Sequence, residues 1–238
     1  MMHFFRRSKI HLDCFTNNVS AIEYAPIDHA IKHIPEWWRA LPKEIYANNI
    51  PSPTMKTCVG MYDFYAKSIC LPLWSELTIT TKNNEYSWQF SDCVTEGIVH
   101  NKHQYAGFGD GTGQLKLESP WLFETKDTVH WAVSQPTYSN KKVFDYVVLP
   151  GVLEFKHQNA TNVQTLINLR ENKTFCIPHN TPLALFTPMS DKKVVIHRHL
   201  VGWEMFKKLK TKRATPTFIN SYKTQQQKIK CPYKDHIK

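Results

Sequence analysis

Between Ile69 and Leu200 the chain is a succession of short apolar runs: ICLPLW, ELTITT, YSWQF, QLKLES, VHWAVS, FDYVVLPGVLEF, VQTLINL, TFCIP, LALFTP and KVVIHRHL. Most are of strand length, rich in β-branched and aromatic residues, and separated by Pro, Gly, Asn, Asp or Ser. Few are long enough for the repeat of a buried helix. About eight to ten strands at that spacing predict a sandwich or barrel. Proline dominates the punctuation, with 14 Pro against only 8 Gly.

The two ends read differently. KIHLDCFT, residues 9–16, alternates as an opening strand. Downstream of Pro26 and Asp28, the residues Ile31, Ile34, Trp37, Trp38 and Leu41 recur at steps of three and four, predicting a helix that Pro35 kinks or restarts. MYDFYAKS, residues 61–68, predicts a short helix or turn. After Gly202, WEMFKKLKTK predicts a helix limited by Pro216, then a second polar helical stretch or a loose end.

At 238 residues the chain suits one large domain, or one domain with an appendage. A hydrophobic fraction of 42% and an aromatic fraction of 13% argue against a disordered chain. Cys14, Cys58, Cys70, Cys93, Cys176 and Cys231 form no C-x-x-C pair, which argues against a zinc knuckle or redox dithiol and predicts buried, reduced thiols. The first residues lack the apolar stretch of a signal peptide, and no run approaches the roughly 18 apolar residues of a membrane span. The expected compartment is a cytoplasm, that of a host if the protein is viral, or a virion. The sequons at Asn18, Asn159 and Asn172 are then chance matches.

Charge is concentrated at one end. Residues 205–238 hold nine Lys and one Arg against Asp235 alone, and so carry nearly all of the net +10. Such a polycation suits an anionic partner such as nucleic acid, because each phosphate it neutralises releases a condensed counterion. A solvated helix face that aids solubility is the alternative. Lys207, Lys208, Lys210, Lys212 and Arg213 are the candidate anion-binding residues.

Other motifs suggest more specific chemistry. In IHRHLVGWE, residues 196–204, a strand places His197 and His199 on one face, and Glu204 could complete a two-histidine, one-carboxylate site for a divalent metal such as Fe or Zn. The helix expected after Gly202 instead carries Glu204 out of reach. His29 and His33 stand four apart on the expected N-terminal helix, but Ala30 occupies the position of the glutamate in a zinc H-E-x-x-H helix. His100 and His103 lie in a polar turn. GFGDGTG, residues 107–113, lacks the Gly-Lys-Ser/Thr end of a phosphate loop and reads as a strand connection. Trp37 and Trp38 are adjacent and cannot share one helix stripe. One should be core and the other marginal, beside Arg39 and Lys43, where it could contact a protein or stack on a base.

Three resemblances follow from these motifs. His197, His199 and Glu204 resemble the first metal-binding motif of the cupins, G-x5-H-x-H-x3-4-E, which implies a double-stranded β-helix. Asp191 and Thr211 stand at its glycine positions, and no P-x-G-x2-H motif follows. IPEWWRALP, TCVGMYDFYAKSICLPLWSEL, SPWLFET and NTPLALFTP look like segments of an uncharacterised protein family encoded by tailed phages of marine bacteria. That likeness covers about residues 30–200 and implies a source and a fold but no reaction. PGVLEFKH, VQTLINL and IPHNTPLALFTP are similar in order to β-clip proteins such as dUTPases. There Glu154 takes the place of the acidic base, Asn180 of a glycine and Leu185 of a glutamine. Trp121, Trp131 and Tyr138 could build a base-stacking pocket on that shape, with buried core aromatics as the more common use.

The expected fold is therefore mainly β, of α+β type: a jelly-roll, cupin-like or β-clip-like sandwich with an N-terminal helical segment and a C-terminal basic helix. Its expected division is a β-rich domain over 1–203 and a basic helical tail over 204–238. The expected function is that of a phage-type binding or structural protein whose cationic tail contacts an anionic partner, with a virion or host protein as another partner. A metal-dependent cupin-like enzyme or a nucleotide-binding β-clip relative is the alternative.

Overall fold

Alternation of buried and exposed residues decides most of the strands. The computed structural model describes residues 9–92, 97–99, 111–139 and 145–211. Its elements in order are β1 (Ile10–Thr16), α1 (Val19–Tyr24), β2 (Asp28–His29), α2 (Glu36–Ala40), β3 (Glu44–Ala47), β4 (Ile50–Pro53), α3 (Val59–Lys67), β5 (Ile69–Pro72), β6 (Leu77–Lys82), β7 (Glu85–Phe90), β8 (Gly97–Val99) and β9 (Thr112–Leu117). There follow β10 (Leu122–Glu124), β11 (Trp131–Ser134), β12 (Tyr146–Val148), β13 (Gly151–Leu153), β14 (Val163–Asn168), β15 (Lys173–Ile177), β16 (Pro182–Pro188), β17 (Val194–Leu200) and α4 (Trp203–Thr211). The fold is β-rich α+β, as its periodicity predicts.

Among the described residues five sheets result, ordered β10-β1-β17, β13-β11-β16-β5-β2, β12-β14-β9-β8, β15-β6-β7 and the hairpin β3-β4. In β9 the buried residues Leu115 and Leu117 lie opposite Thr165 and Val163 of β14, so both strands turn the same phase inward. Hairpins β3-β4 and β6-β7 turn on Asn48–Asn49 and Asn83–Asn84, all four at positive φ. Paired left-handed residues give the twist that suits a two-residue hairpin, and Asn tolerates that region.

The five-stranded sheet is covered on both faces. Ile69, Leu71 and Phe186 face the main core with Phe123, Trp131 and Phe155, whereas Cys70 and Leu185 turn to a second cluster made by Trp38, Met61 and Tyr65. This explains why β16 buries Leu183 through Phe186 without a break. Leu183 and Ala184 both reach the main core because the register with β5 shifts between Pro182 and Ala184.

The N-terminal helical segment is the main structural correction. No single kinked helix spans residues 28–41. Asp28 and His29 instead add β2 to the edge of β5, Ala30–His33 form a 3-10 turn, and Pro35 begins the short α2. Proline at the start of a helix loses no hydrogen bond, whereas a continuous helix would have lost one there. The thiols also differ from expectation, since Cys14 and Cys70 are buried but Cys58 is exposed and Cys176 half-buried. Cys93 and Cys231 lie outside the described residues. No helix among the described residues is long and apolar enough to cross a membrane.

Candidate functional site

The parallel pair β1–β17 joins the first and last strands among the described residues. Ile10, Leu12, Cys14 and Thr16 of β1 are buried, which leaves His11, Asp13 and Phe15 on the outer face. Register places Val195, His197 and His199 beside those three in turn. Each β17 imidazole nevertheless reaches back along β1, past its partner, to the residue two positions earlier. His197 Nε2 lies 2.9 Å from His11 Nδ1, and His199 Nε2 donates to Asp13 Oδ1 at 2.8 Å. The His11 and His197 rings lie nearly parallel, 9° apart with centroids 5.2 Å apart, and Phe15 stacks on His199 at 4.8 Å.

His11, Asp13, His197 and His199 line an open cleft of about 410 Å³ with Lys126 and Asp127. Its fixed charges balance: Asp13 and Asp127 stand beside Lys126, and Lys192 lies 3.9 Å from Asp127. Glu204 is not among its lining residues: it stands exposed in the first turn of α4, beyond the end of β17. Among the described residues no group of three or more His, Cys, Asp or Glu side chains is arranged to hold a metal ion.

A second cleft, of about 560 Å³, lies where α4 meets the body. Trp203, Phe206 and Lys210 repeat at helical spacing and form one wall, while Asn17, Asn18, Asp92, Glu118 and Trp74 contribute to the rest. Phe206 anchors the helix at 7% exposure, and Asn159 Nδ2 donates to the Leu209 carbonyl at 2.6 Å. Trp203 is 63% exposed, and Lys207, Lys208 and Lys210 are exposed. The carboxylate of Glu118 is neutralised by Lys116 at 3.1 Å and Lys210 at 3.9 Å. Lys212 and Arg213 lie outside the described residues.

The tryptophan pair divides as its adjacency requires. Trp38 is 3% exposed, packs on Tyr65 and donates to the Met55 carbonyl at 2.9 Å. Trp37 is 40% exposed and donates to the Tyr138 carbonyl at 3.0 Å. A base-stacking pocket of Trp121, Trp131 and Tyr138 does not form: both tryptophans are fully buried, whereas Tyr138 lies at the surface beside Trp37. Glu154, expected at the position of an acidic base, is buried with Oε1 3.6 Å from His157 Nε2. Asn180 adopts positive φ as a glycine would, and Leu185 belongs to the second cluster.

His29 and His33 fall on different elements, the end of β2 and the 3-10 turn. Burial depresses both imidazoles below their usual range; the Asp28 carboxylate opposes this without overcoming it. His100, His103 and residues 107–110 lie outside the described residues. Gly113 of the glycine-rich stretch is in β9, where a Cβ would meet the Tyr86 ring at 2.5 Å. Its glycine is explained by close packing. Sequence reasoning missed His11 and Asp13, although both occupy the polar phase of the expected opening strand. No family model matches the chain, and no curated protein is significantly similar to it.

Proposed function

We propose that the protein is a binding protein that presents α4 and the residues following it as a cationic contact for a polyanion, with single-stranded nucleic acid as the ligand class to test. One observation carries this reading. Phe206 and Asn159 fix α4 to the body, while Lys207, Lys208 and Lys210 remain exposed beside a cleft whose wall includes the exposed indole of Trp203. Cations held on a folded surface neutralise phosphates with less ordering cost than a loose tail, and an indole offers any base a stacking face. Lys212 and Arg213 extend the basic run in sequence.

The body fits a jelly-roll or cupin-like sandwich, because mostly antiparallel sheets with non-sequential neighbours enclose one large apolar cluster. The likeness to tailed-phage proteins makes a virion component or a host protein a further partner, and a host cytoplasm or virion the setting. Replacing Lys207, Lys208, Lys210, Lys212 and Arg213 by Gln in the intact chain tests the reading, since Gln preserves helix propensity closely. Fluorescence anisotropy with a labelled single-stranded oligonucleotide should show binding by the wild type and none by the variant. Equal binding by both would remove α4 and its extension as the contact.

A further inference from the structure

We propose that His11 and His197 form a two-imidazole chelating site for a zinc-class divalent cation, bridging β1 and β17. The site is independent of the α4 contact and of Glu204. His11 Nδ1 and His197 Nε2 face one another at 2.9 Å. At the zinc–nitrogen distance of about 2.0–2.1 Å, two nitrogens on one metal stand roughly 2.9 Å apart at a right angle and roughly 3.3 Å apart in a tetrahedron. The nitrogen separation already matches that of a chelate, while the two rings lie edge to edge with their facing nitrogens aimed at one another. One proton now lies between the rings, because a neutral imidazole offers one N–H and one lone pair. A metal takes its place when the donating ring moves its proton to its other nitrogen and both facing lone pairs turn to the ion.

The surroundings do not oppose a cation. The cleft carries two carboxylates, Asp13 and Asp127, beside Lys126, and Lys192 pairs with Asp127 at 3.9 Å, so no net positive charge faces the imidazoles. Asp13 is occupied by His199 at 2.8 Å, so the protein supplies two ligands and water supplies the others, in keeping with the absence of a three-residue group among the described residues. Backbone placement limits the reorganisation needed. The two strands run in continuous register from Ile10↔Val194 to Thr16↔Leu200, so only the two rings, now parallel to within 9°, must tilt to aim both lone pairs at one ion.

The test uses untagged full-length protein and zinc ion alone. Isothermal titration should find one equivalent bound, and zinc should raise the melting temperature, because a ligand that binds the native state alone stabilises it. His11→Asn and His197→Asn should each weaken binding at least tenfold and abolish the thermal shift, while the His29→Asn/His33→Asn double variant keeps both. A readout on the wild type covers the case in which a variant misfolds. In imidazole nitrogen spectra, zinc should shift His11 Nδ1 and His197 Nε2 first. No binding by the wild type, zinc-induced shifts confined to other histidines, or undiminished affinity in folded His11→Asn and His197→Asn would each overturn the site.

Discussion

His199 stands opposite Phe15 in the β1–β17 register, yet its Nε2 donates at 2.8 Å to Asp13, two residues earlier on the neighbouring strand. His197, opposite Asp13, makes the same backward step to His11 at 2.9 Å. The diagonal leaves Phe15 free to stack beneath His199 and gathers His11, Asp13, His197 and His199 on one outer face.

The Asp13–His199 pair should contribute little to stability. Its side chains are 38% and 40% exposed, and water screens such a contact to at most about 1 kcal/mol. A double-mutant cycle with Asp13→Asn and His199→Gln, read by urea denaturation, should give a coupling below that value. A coupling above about 2 kcal/mol would show a desolvated pair instead.

The two adjacent tryptophans should differ in stability. Trp38→Ala empties a buried site and leaves the Met55 carbonyl without its indole partner, so a loss of about 3–5 kcal/mol is expected. Trp37→Ala, at a half-exposed position, should cost under about 1.5 kcal/mol. Chemical denaturation of the two variants checks the order.

Stability should fall between neutral pH and pH 5. Burial depresses His29 and His33, so the folded state binds fewer protons than the unfolded chain. Their contribution is present above the unfolded value of about 6.5, declines as pH falls below it, and is lost once pH passes the depressed folded values. Asp28, whose carboxyl is also depressed, acts only at more acid pH: burial pushes it up, but hydrogen bonds from Lys32 and the His29 amide outweigh this. Urea midpoints at pH 7.5 and 5 should separate for the wild type and converge for His29→Asn/His33→Asn.

Gly113→Ala should destabilise the β9 region, because the new Cβ meets the Tyr86 ring at 2.5 Å while the Tyr86 hydroxyl is tied to the Gln114 carbonyl at 2.7 Å. In a Tyr86→Ala background the same change should cost less, and thermal melts of the four proteins measure the difference.

These contrasts also show what sequence can reveal. Strands such as β6, β9 and β14 are legible because one phase faces a core, a property of adjacent residues. β2, β3, β4 and β10 are two to four residues long and are defined by their partners; β4 contains two prolines that hide it further. The N-terminal periodicity was real, since Ile31, Ile34, Trp38 and Leu41 all reach the second cluster, but a 3-10 turn and a proline-started helix deliver them. His197 and His199 could be read as sharing a face from their spacing alone. Their contacts His11 and Asp13 could not, because they lie 186 residues away and depend on parallel strand pairing.

The salt dependence of nucleic-acid binding tests the central claim most directly. If α4 and the residues after it neutralise four or five phosphates, log affinity for a single-stranded oligonucleotide should fall against log salt with a slope of about −3 to −3.5, or about −3.6 to −4.5 for a duplex. The five-cation Gln variant should lose the binding while keeping the wild-type melting temperature. Undetectable binding by the wild type at about 50 mM salt, or binding with no salt slope, would contradict the claim.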